Sequence, residues 1–212
     1  MKSLYIVGLG PGNLDYTTQA ALDAISHCDV LVGGRRNLDS LKHFCKGKLV
    51  IDSDLDELFQ RIAKIKREKD VCIVVSGDPG FYSLLGYIKR RFPKEEFTVI
   101  PGISSFQYLF CKLGRQWKDY SLFSLHGIND DLENRLEECM KEERSVIFLT
   151  DKFSSPDKIA QCLIKMGYEK CNMIVGENLS YKDERILSGN PKDIGLMKFG
   201  DLNVVVIDKY GM

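Results

Sequence analysis

Three short stretches rich in glycine, proline and small hydroxyl side chains have the composition of ligand-binding loops. They are VGLGPGN at residues 7–13, SGDPG at 76–80 and PGISS at 101–105. Each stretch follows an apolar, β-branched run, so each is expected at the end of a buried strand. Their backbone N–H and C=O groups, their small side chains and one carboxylate suit a compact zwitterionic ligand with an adenine ring.

The first loop departs from the pattern that binds dinucleotides. That pattern is G-x-G-x-x-G after a strand, and here Asn13 takes the place of its last glycine. Pro11 stands where a pyrophosphate needs a backbone N–H, which proline lacks. Hydride transfer is therefore disfavoured, and the loop is interpreted as a sharp turn into a helix that is capped by Asp15 or Thr17.

The elements that must position these loops alternate along the first half of the chain. Strand patterns cover residues 3–10, 29–34, 48–52, 71–77 and 97–102. Helical patterns cover residues 15–27, 36–44, 54–68, 81–92 and 103–112. This alternation predicts an open, mostly parallel sheet covered by helices. Because the carboxyl ends of parallel strands share one edge, the loops are expected to converge on one crevice.

The second half of the chain predicts a mixed sheet. Strand patterns cover residues 120–127, 145–151, 172–179, 183–189 and 202–210, with helical patterns at 130–142 and 156–166. Only a short helical piece separates the last two strands, which favours antiparallel pairing there. A polar stretch without clear periodicity near residues 114–120 predicts the domain boundary, so that the α/β domains are 1–116 and 117–212.

Composition argues against several classes of function. Lys plus Arg equals Asp plus Glu at 30 each, so no global charge attracts nucleic acid or an anionic membrane. No apolar run approaches the ~20 residues that cross a bilayer, and no signal peptide is visible, which predicts a cytoplasmic protein. The 7 cysteines and 3 histidines lack metal-ligand spacing, so no metal site is predicted. No Ser-His-Asp or Cys-His set is visible either.

Taken together, the loops resemble the tetrapyrrole methylase family, which methylates corrin and porphyrin precursors with S-adenosylmethionine. The matches are VGLGPGNLDYTTQAAL, SGDPGFYSL and VIPGISSFQYL, and the resemblance continues through FLTDKFSSPDKIA, IVGENLSYKDERI and LNVVVI. Because of DVLVGGRRNL and FSLHG, the chain is most similar to the branch that methylates carbon 5 of cobalt-precorrin-7, including the N-terminal part of precorrin-6Y methylases. The resemblance implies two α/β domains with a cofactor cleft between them, and a homodimer.

The resemblance also implies which residues bind S-adenosylmethionine. Carried over by position, the contacts in the first domain are Pro11, Ser76, Gly77, Asp78, Phe81, Ser104 and Ser105. Those in the second domain are Leu149 or Thr150, Leu179 and Asn203. From its own sequence context, Asp78 can equally be a turn residue that precedes a proline.

The acceptor that the family implies is an anionic macrocycle with several carboxylates. Arg35 and Arg36, after the second strand, are candidates to bind those carboxylates because guanidinium groups pair with them bidentately. A solvated helix start is the alternative. His126 in SLHG is a candidate to contact the substrate or to move a proton, with a structural histidine as the alternative. Methyl transfer itself is expected to depend on positioning.

Two departures from family patterns bear on the substrate. Gly34 replaces the aspartate of the YDR motif found in uroporphyrinogen methylases, which disfavours that activity. Ile128 follows Gly127, where the carbon-5 branch usually has arginine. Some relatives are fused to an enzyme for carbon 15, so a separate methylase and decarboxylase is expected as a partner. The alternative functions are another S-adenosylmethionine-dependent methylase, for a different corrin carbon or of diphthine type, and a nucleotide-binding module.

Overall fold

The computed structural model describes residues 2–44, 47–51, 54–126 and 131–209, without the side chain of Glu95. Gly127 and Ile128, the second of which departs from the pattern of the carbon-5 branch, lie outside the described residues. The chain divides into two compact units, Met1–Ser104 and Ser105–Met212. The boundary predicted from the sequence, between residues 116 and 117, falls in the loop after the first helix of the second unit.

The first unit is built on a parallel sheet. Its strands are β1 (Leu4–Gly8), β2 (Val30–Gly33), β3 (Gly47–Val50), β4 (Val71–Val75) and β5 (Thr98–Ile100). They lie in the order β3-β2-β4-β1-β5, and every pair is parallel. Each residue of β4 is buried, as expected of a central strand covered on both faces. The parallel sheet predicted from the sequence is confirmed.

Helices cover the two faces of this sheet. They are α1 (Gln19–His27), α2 (Arg35–Ser40), α3 (Leu55–Ile65) and α4 (Leu85–Arg91), with short 3-10 helices at Leu14–Tyr16 and Lys94–Glu96. Successive strand residues point to opposite faces, so Ile6 and Ile73 belong to one apolar cluster while Val7 and Val74 belong to another.

The start of α1 differs from the prediction. Thr18, rather than Asp15 or Thr17, caps the helix, because its side chain accepts a hydrogen bond from the N–H of Ala21 at 3.2 Å. Thr17 is buried and donates to the carbonyl of Leu9 at 2.7 Å. This contact holds the entry of the helix against the loop that follows β1.

The start of α4 also differs from the prediction. Residues 81–84 form bends and a turn, and Tyr82 has a φ of 46°. This left-handed backbone cannot be part of a right-handed helix. Phe81 therefore precedes the helix by a turn, whereas the helical pattern over 81–92 had placed it at the first helical position.

The second unit is built on a mixed sheet. Its strands are β6 (Tyr120–Ser124), β7 (Ser145–Leu149), β8 (Asn172–Glu177), β9 (Arg185–Gly189) and β10 (Asn203–Asp208). They lie in the order β6-β7-β10-β8-β9. β6 and β7 are parallel, and the other pairs are antiparallel. The mixed sheet is thus confirmed. The antiparallel pairing predicted between the last two strands is wrong, because β8 lies between β9 and β10 and each of them pairs antiparallel with β8.

The helices of the second unit are α5 (Ser105–Leu113), α6 (Leu132–Met140), α7 (Pro156–Lys165) and α8 (Pro191–Ile194). The pairing places the carboxyl ends of β6, β7 and β8 and the amino end of β10 at one edge of the sheet. Over the described ranges, no helix has the length and apolar character needed to span a bilayer.

Candidate functional site

The loops after β1 and β4 are joined by backbone hydrogen bonds. The N–H of Gly77 donates to the carbonyl of Gly10 at 2.8 Å, and the N–H of Gly10 donates to the carbonyl of Gly77 at 3.3 Å. Both glycines have a left-handed φ, which is 86° at Gly10 and 65° at Gly77. Residues with a side chain rarely adopt such angles. The glycines of these loops therefore serve the turn geometry and bring the two loops into contact.

Asp78 joins the loop after β4 to the loop after β5. Its Oδ2 accepts from the N–H of Gly102 at 3.2 Å, and its Oδ1 accepts from the N–H of Gly80 at 2.8 Å. The second contact is the usual turn of an Asp-Pro-Gly sequence, while the first reaches across 24 residues. The turn interpretation of Asp78 describes its contacts within the first unit, and donor binding by this residue stays a prediction.

Replacing Asp78 by alanine is expected to destabilise the first unit by about 1–3 kcal/mol, because two backbone N–H groups lose their acceptor. Urea unfolding followed by circular dichroism measures this loss. Asp78→Asn keeps one acceptor oxygen and should lose less. Equal losses for the two variants would contradict the contact with Gly102.

The same three loops approach one another so closely that side chains do not fit between them. A Cβ atom added to Gly8 would lie 2.5 Å from the carbonyl oxygen of Gly77 and 2.6 Å from the nitrogen of Gly102. Real Cβ contacts of this length essentially never occur. The convergence predicted for the strand-end loops is therefore present within the first unit.

The predicted substrate arginines lie at the same sheet edge, at the start of α2. Nη2 of Arg36 donates to Oγ of Ser76 at 3.2 Å, and that hydroxyl donates to Oδ1 of Asn37 at 3.1 Å. Arg35 and Arg36 are both exposed. The structure thus brings Arg36, which is predicted to bind the substrate, together with Ser76, which is predicted to bind S-adenosylmethionine.

The other residues of the first unit that are predicted to bind S-adenosylmethionine lie in the same loops. Pro11 is partly buried after β1, and Phe81 packs edge-on against Tyr82 with ring centroids 4.9 Å apart. Ser104 is buried and follows β5. Ser105 is the first residue of α5 and belongs to the second unit.

In the second unit, Thr150 and Asn203 meet at the shared strand edge. The N–H of Thr150 and its Oγ1 both donate to the main-chain carbonyl of Asn203, at 3.3 and 3.2 Å. Nδ2 of Asn203 donates to the carbonyl of Gly200 at 2.6 Å. Among the described residues, Oδ1 of Asn203 has no hydrogen-bond partner although it is buried. An acceptor shut off from water without a donor is uncommon and marks a place where a ligand donor can be matched.

Leu179 is held by a strained turn after β8. Its neighbours Asn178 and Ser180 have left-handed φ values of 48° and 70°, each at a cost of order 1 kcal/mol for a residue with a side chain. Cδ2 of Leu179 lies 2.8 Å from the place that a Cβ atom on Gly176 would take. The leucine side chain therefore fills the space that the glycine leaves. The turn thereby buries Leu179 at the strand edge.

His126 follows β6 at this edge and is close enough to Asp151 for the two charges to interact. Desolvation by the surrounding protein lowers the pKa of the imidazole below its ordinary value of 6.5, and the Asp151 carboxylate opposes that shift. The residue is nevertheless exposed over much of its surface. Nδ1 lies 3.0 Å from Oγ of Ser124. The lowered pKa keeps the imidazole neutral at neutral pH, when it can accept a proton.

If His126 removes the proton of the methylated carbon, kcat/KM should be constant near neutral pH. It should fall only when the pH drops below the lowered pKa of the imidazole, because protonation removes the acceptor. His126→Gln should lose about 100-fold in kcat/KM together with this acid limb. His27→Gln, at an exposed site on α1, is the matched control. An unchanged pH profile in His126→Gln would contradict a role in proton transfer.

Sequence reasoning missed several residues that shape these sites. Asn37 accepts from Ser76, Asp151 faces His126, and Glu177 accepts from Gly200. Asn37 lies in the first turn of α2, Asp151 follows β7 and Glu177 ends β8, but nothing in the local sequence identifies the distant partner of each.

The fold is that of a known methylase structure. The precorrin-6Y methylase of cobalamin biosynthesis from Archaeoglobus fulgidus matches this chain with a TM-score of 0.70 and 24% sequence identity, and the match covers 97% of each chain. At this identity the likeness shows the fold alone.

The sequence identifies the family. The family model of the tetrapyrrole (corrin/porphyrin) methylases matches residues 3–195, and the chain belongs to this family. It is 36% identical to the cobalt-precorrin-7 C(5)-methyltransferase of Salmonella typhimurium, over 86% of this chain and 88% of the relative. It is 34% identical to the probable cobalt-precorrin-7 C(5)-methyltransferase of Methanocaldococcus jannaschii, over 97% of each chain. The resemblance predicted from the loops is confirmed, and the chain is a methyltransferase.

Proposed function

We propose that this enzyme transfers a methyl group from S-adenosylmethionine to carbon 5 of cobalt-precorrin-7 in cobalamin biosynthesis. The observation that carries the proposal is the closure of three strand-end loops around Gly8, Gly77 and Gly102, with Arg36 joined to one of them. The names of the two sequence relatives support the choice of substrate and ring carbon.

The residues present suit the methyl donor. The first-unit loops combine small side chains with main-chain polar groups and one carboxylate, which matches an amino acid joined to a nucleoside. The donor contacts proposed here are Pro11, Ser76, Gly77, Asp78, Phe81, Ser104 and Ser105, together with Thr150, Leu179 and Asn203. Oδ1 of Asn203, which has no partner among the described residues, can accept a hydrogen bond from an N–H of S-adenosylmethionine. S-adenosylmethionine supplies an electrophilic methyl group on a sulfonium sulfur.

The reaction needs little from the protein beyond positioning. The ring carbon attacks the methyl carbon in line, the S–CH₃ bond breaks as the C–C bond forms, and the methylated carbon then loses its proton. Holding the two carbons about 3–3.5 Å apart contributes ~7–11 kcal/mol towards the barrier. Because the sulfonium becomes a neutral thioether, a site with few charges favours the transition state. His126 is the candidate acceptor for the proton.

The acceptor ring carries several carboxylates, and we assign Arg35 and Arg36 to bind them. Guanidinium groups pair with carboxylates through two parallel hydrogen bonds. Both side chains are exposed at the carboxyl edge of the first sheet. A cation at a helix N-terminus opposes the helix dipole, so the dipole does not explain why two arginines stand at the start of α2.

The proposal is tested with purified enzyme, cobalt-precorrin-7 and S-adenosylmethionine labelled with ¹³C in its methyl group. The expected product carries one labelled methyl group at carbon 5 in its NMR spectrum. A label on another ring carbon, or on a diphthamide precursor supplied instead, would favour the alternative methylases. Calorimetry that shows binding of NAD but not of S-adenosylhomocysteine would overturn the methyl-transfer proposal.

Three further properties stay predictions. They are a homodimeric assembly, a cytoplasmic location and a separate enzyme that acts at carbon 15. Size-exclusion chromatography with light scattering tests the first of these directly.

A further inference from the structure

A chain of hydrogen bonds runs from an ion pair to the carboxamide of Asn203. Arg185 donates to Oε2 of Glu177 at 2.6 Å. The other carboxylate oxygen, Oε1, accepts from the N–H of Gly200 at 2.5 Å. The carbonyl of Gly200 in turn accepts from Nδ2 of Asn203 at 2.6 Å. The carboxamide orientation is thereby fixed, because its nitrogen is committed to Gly200.

The ion pair holds the segment that leads into β10. The Glu177 side chain is 8% exposed and that of Arg185 is 46% exposed. Arg185 also donates to the carbonyl of Lys198 at 2.9 Å and lies over the ring of Phe199, 5.4 Å from its centroid. A carboxylate as buried as Glu177 needs such partners to replace the water that it has lost. The pair therefore controls where Gly200 presents its carbonyl.

The other oxygen of the carboxamide is left without a donor. Within the described part of the chain, Oδ1 of Asn203 has no hydrogen-bond partner, and the residue is only 6% exposed. Both donors of Thr150 go to the main-chain carbonyl of Asn203 instead. An amide oxygen only accepts hydrogen bonds, so the group that completes it must carry an N–H or O–H. The amino group of adenine is such a donor.

We propose that Glu177 and Arg185 are positioning residues for recognition of the methyl donor. They fix the Asn203 carboxamide so that its Oδ1 accepts a hydrogen bond from the 6-amino group of the donor's adenine. The inference rests on the proposed function, which supplies the adenine.

The test compares two ligands by calorimetry on the full chain. One is S-adenosylhomocysteine, and the other is the same molecule with hydrogen in place of the 6-amino group. The wild-type chain should bind the first about 10-fold more tightly, since the analogue leaves a buried acceptor unmatched. Glu177→Gln and Arg185→Met should each weaken S-adenosylhomocysteine about 10-fold and leave the affinity for the analogue unchanged, so that the preference disappears.

The matched control is Asp208→Asn at the opposite end of β10. Asp208 is a buried carboxylate that accepts from Arg115 at 2.9 Å and from Tyr120 at 2.7 Å. Its loss should lower stability, as the loss of Glu177 does, yet keep the 10-fold preference for the amino group. Thermal unfolding of every variant shows which of them fold. Arg185→Met keeps the test valid if Glu177→Gln does not fold, because the Arg185 side chain is about half exposed.

Three outcomes of this comparison would each refute a different part of the proposal. Failure of the wild-type chain to bind S-adenosylhomocysteine would refute the proposed function itself. Equal wild-type affinity for the two ligands would refute the contact of Asn203 with the amino group, with donor binding intact. A preference that survives in folded Glu177→Gln or Arg185→Met would refute the positioning role of the ion pair.

Discussion

Gly8→Ala is expected to destabilise the first unit by about 3 kcal/mol or more and to abolish measurable binding of S-adenosylhomocysteine. The added methyl group has no room, because backbone atoms of Gly77 and Gly102 lie 2.5 and 2.6 Å from its position. Backbone atoms cannot rotate away as the end of a flexible side chain can, so the loops themselves must separate. Urea unfolding and calorimetry measure the two effects.

Gly86→Ala is the matched control for this substitution. Gly86 lies in α4, and no atom lies within 4 Å of its added Cβ. Alanine is the better helix former there, so this variant should gain about 0.5–1 kcal/mol and bind S-adenosylhomocysteine as the wild type does. If Gly8→Ala were as stable as Gly86→Ala, the loops of the first unit would not meet as described.

The double variant Arg35→Ala/Arg36→Ala should reduce kcat/KM for the tetrapyrrole about 1000-fold. Each guanidinium removed takes away charge-assisted hydrogen bonds worth about 1.5–3 kcal/mol. The affinity for S-adenosylhomocysteine should change only slightly, because the hydrogen bond that Arg36 donates to Ser76 is exposed and 3.2 Å long. Steady-state kinetics with cobalt-precorrin-7 and calorimetry with S-adenosylhomocysteine separate the two effects.

Arg61→Ala/Lys64→Ala removes the same charge from the exposed face of α3 and should leave kcat/KM near the wild-type value. If the two double variants had the same kinetics, Arg35 and Arg36 would be ordinary solvated residues at a helix start. A large loss of donor affinity in Arg35→Ala/Arg36→Ala would instead show that Arg36 acts mainly through Ser76.

Local signals in the sequence were enough to predict the elements and the family. The β-branched run of β4 is buried along its whole length, and such continuous runs are typical of parallel strands covered on both faces. Local signals did not give strand pairing, since the short connection between β9 and β10 predicted that they pair, whereas β8 lies between them. Glycine and proline at strand ends predicted tight turns because their backbone preferences are intrinsic to the residue.

Helix starts were predicted less well, because they depend on single side chains. Thr18 rather than Asp15 or Thr17 caps α1, and several neighbouring residues have side chains capable of capping. α4 begins at Leu85 since Tyr82 adopts a left-handed backbone, which residue type alone does not indicate.

What the sequence by itself determined is the set of strands and helices, the glycine-rich turns and the family to which they belong, since each of these depends on residues that are neighbours in the chain. Only the tertiary structure decided that Asp78 binds Gly102, that Arg36 binds Ser76 and that Gly200 holds Asn203. The first two contacts span 24 and 40 residues, and the third depends on the ion pair of Glu177. Hydrogen-bond partners at such separations are selected by packing of the whole unit, which no local pattern encodes.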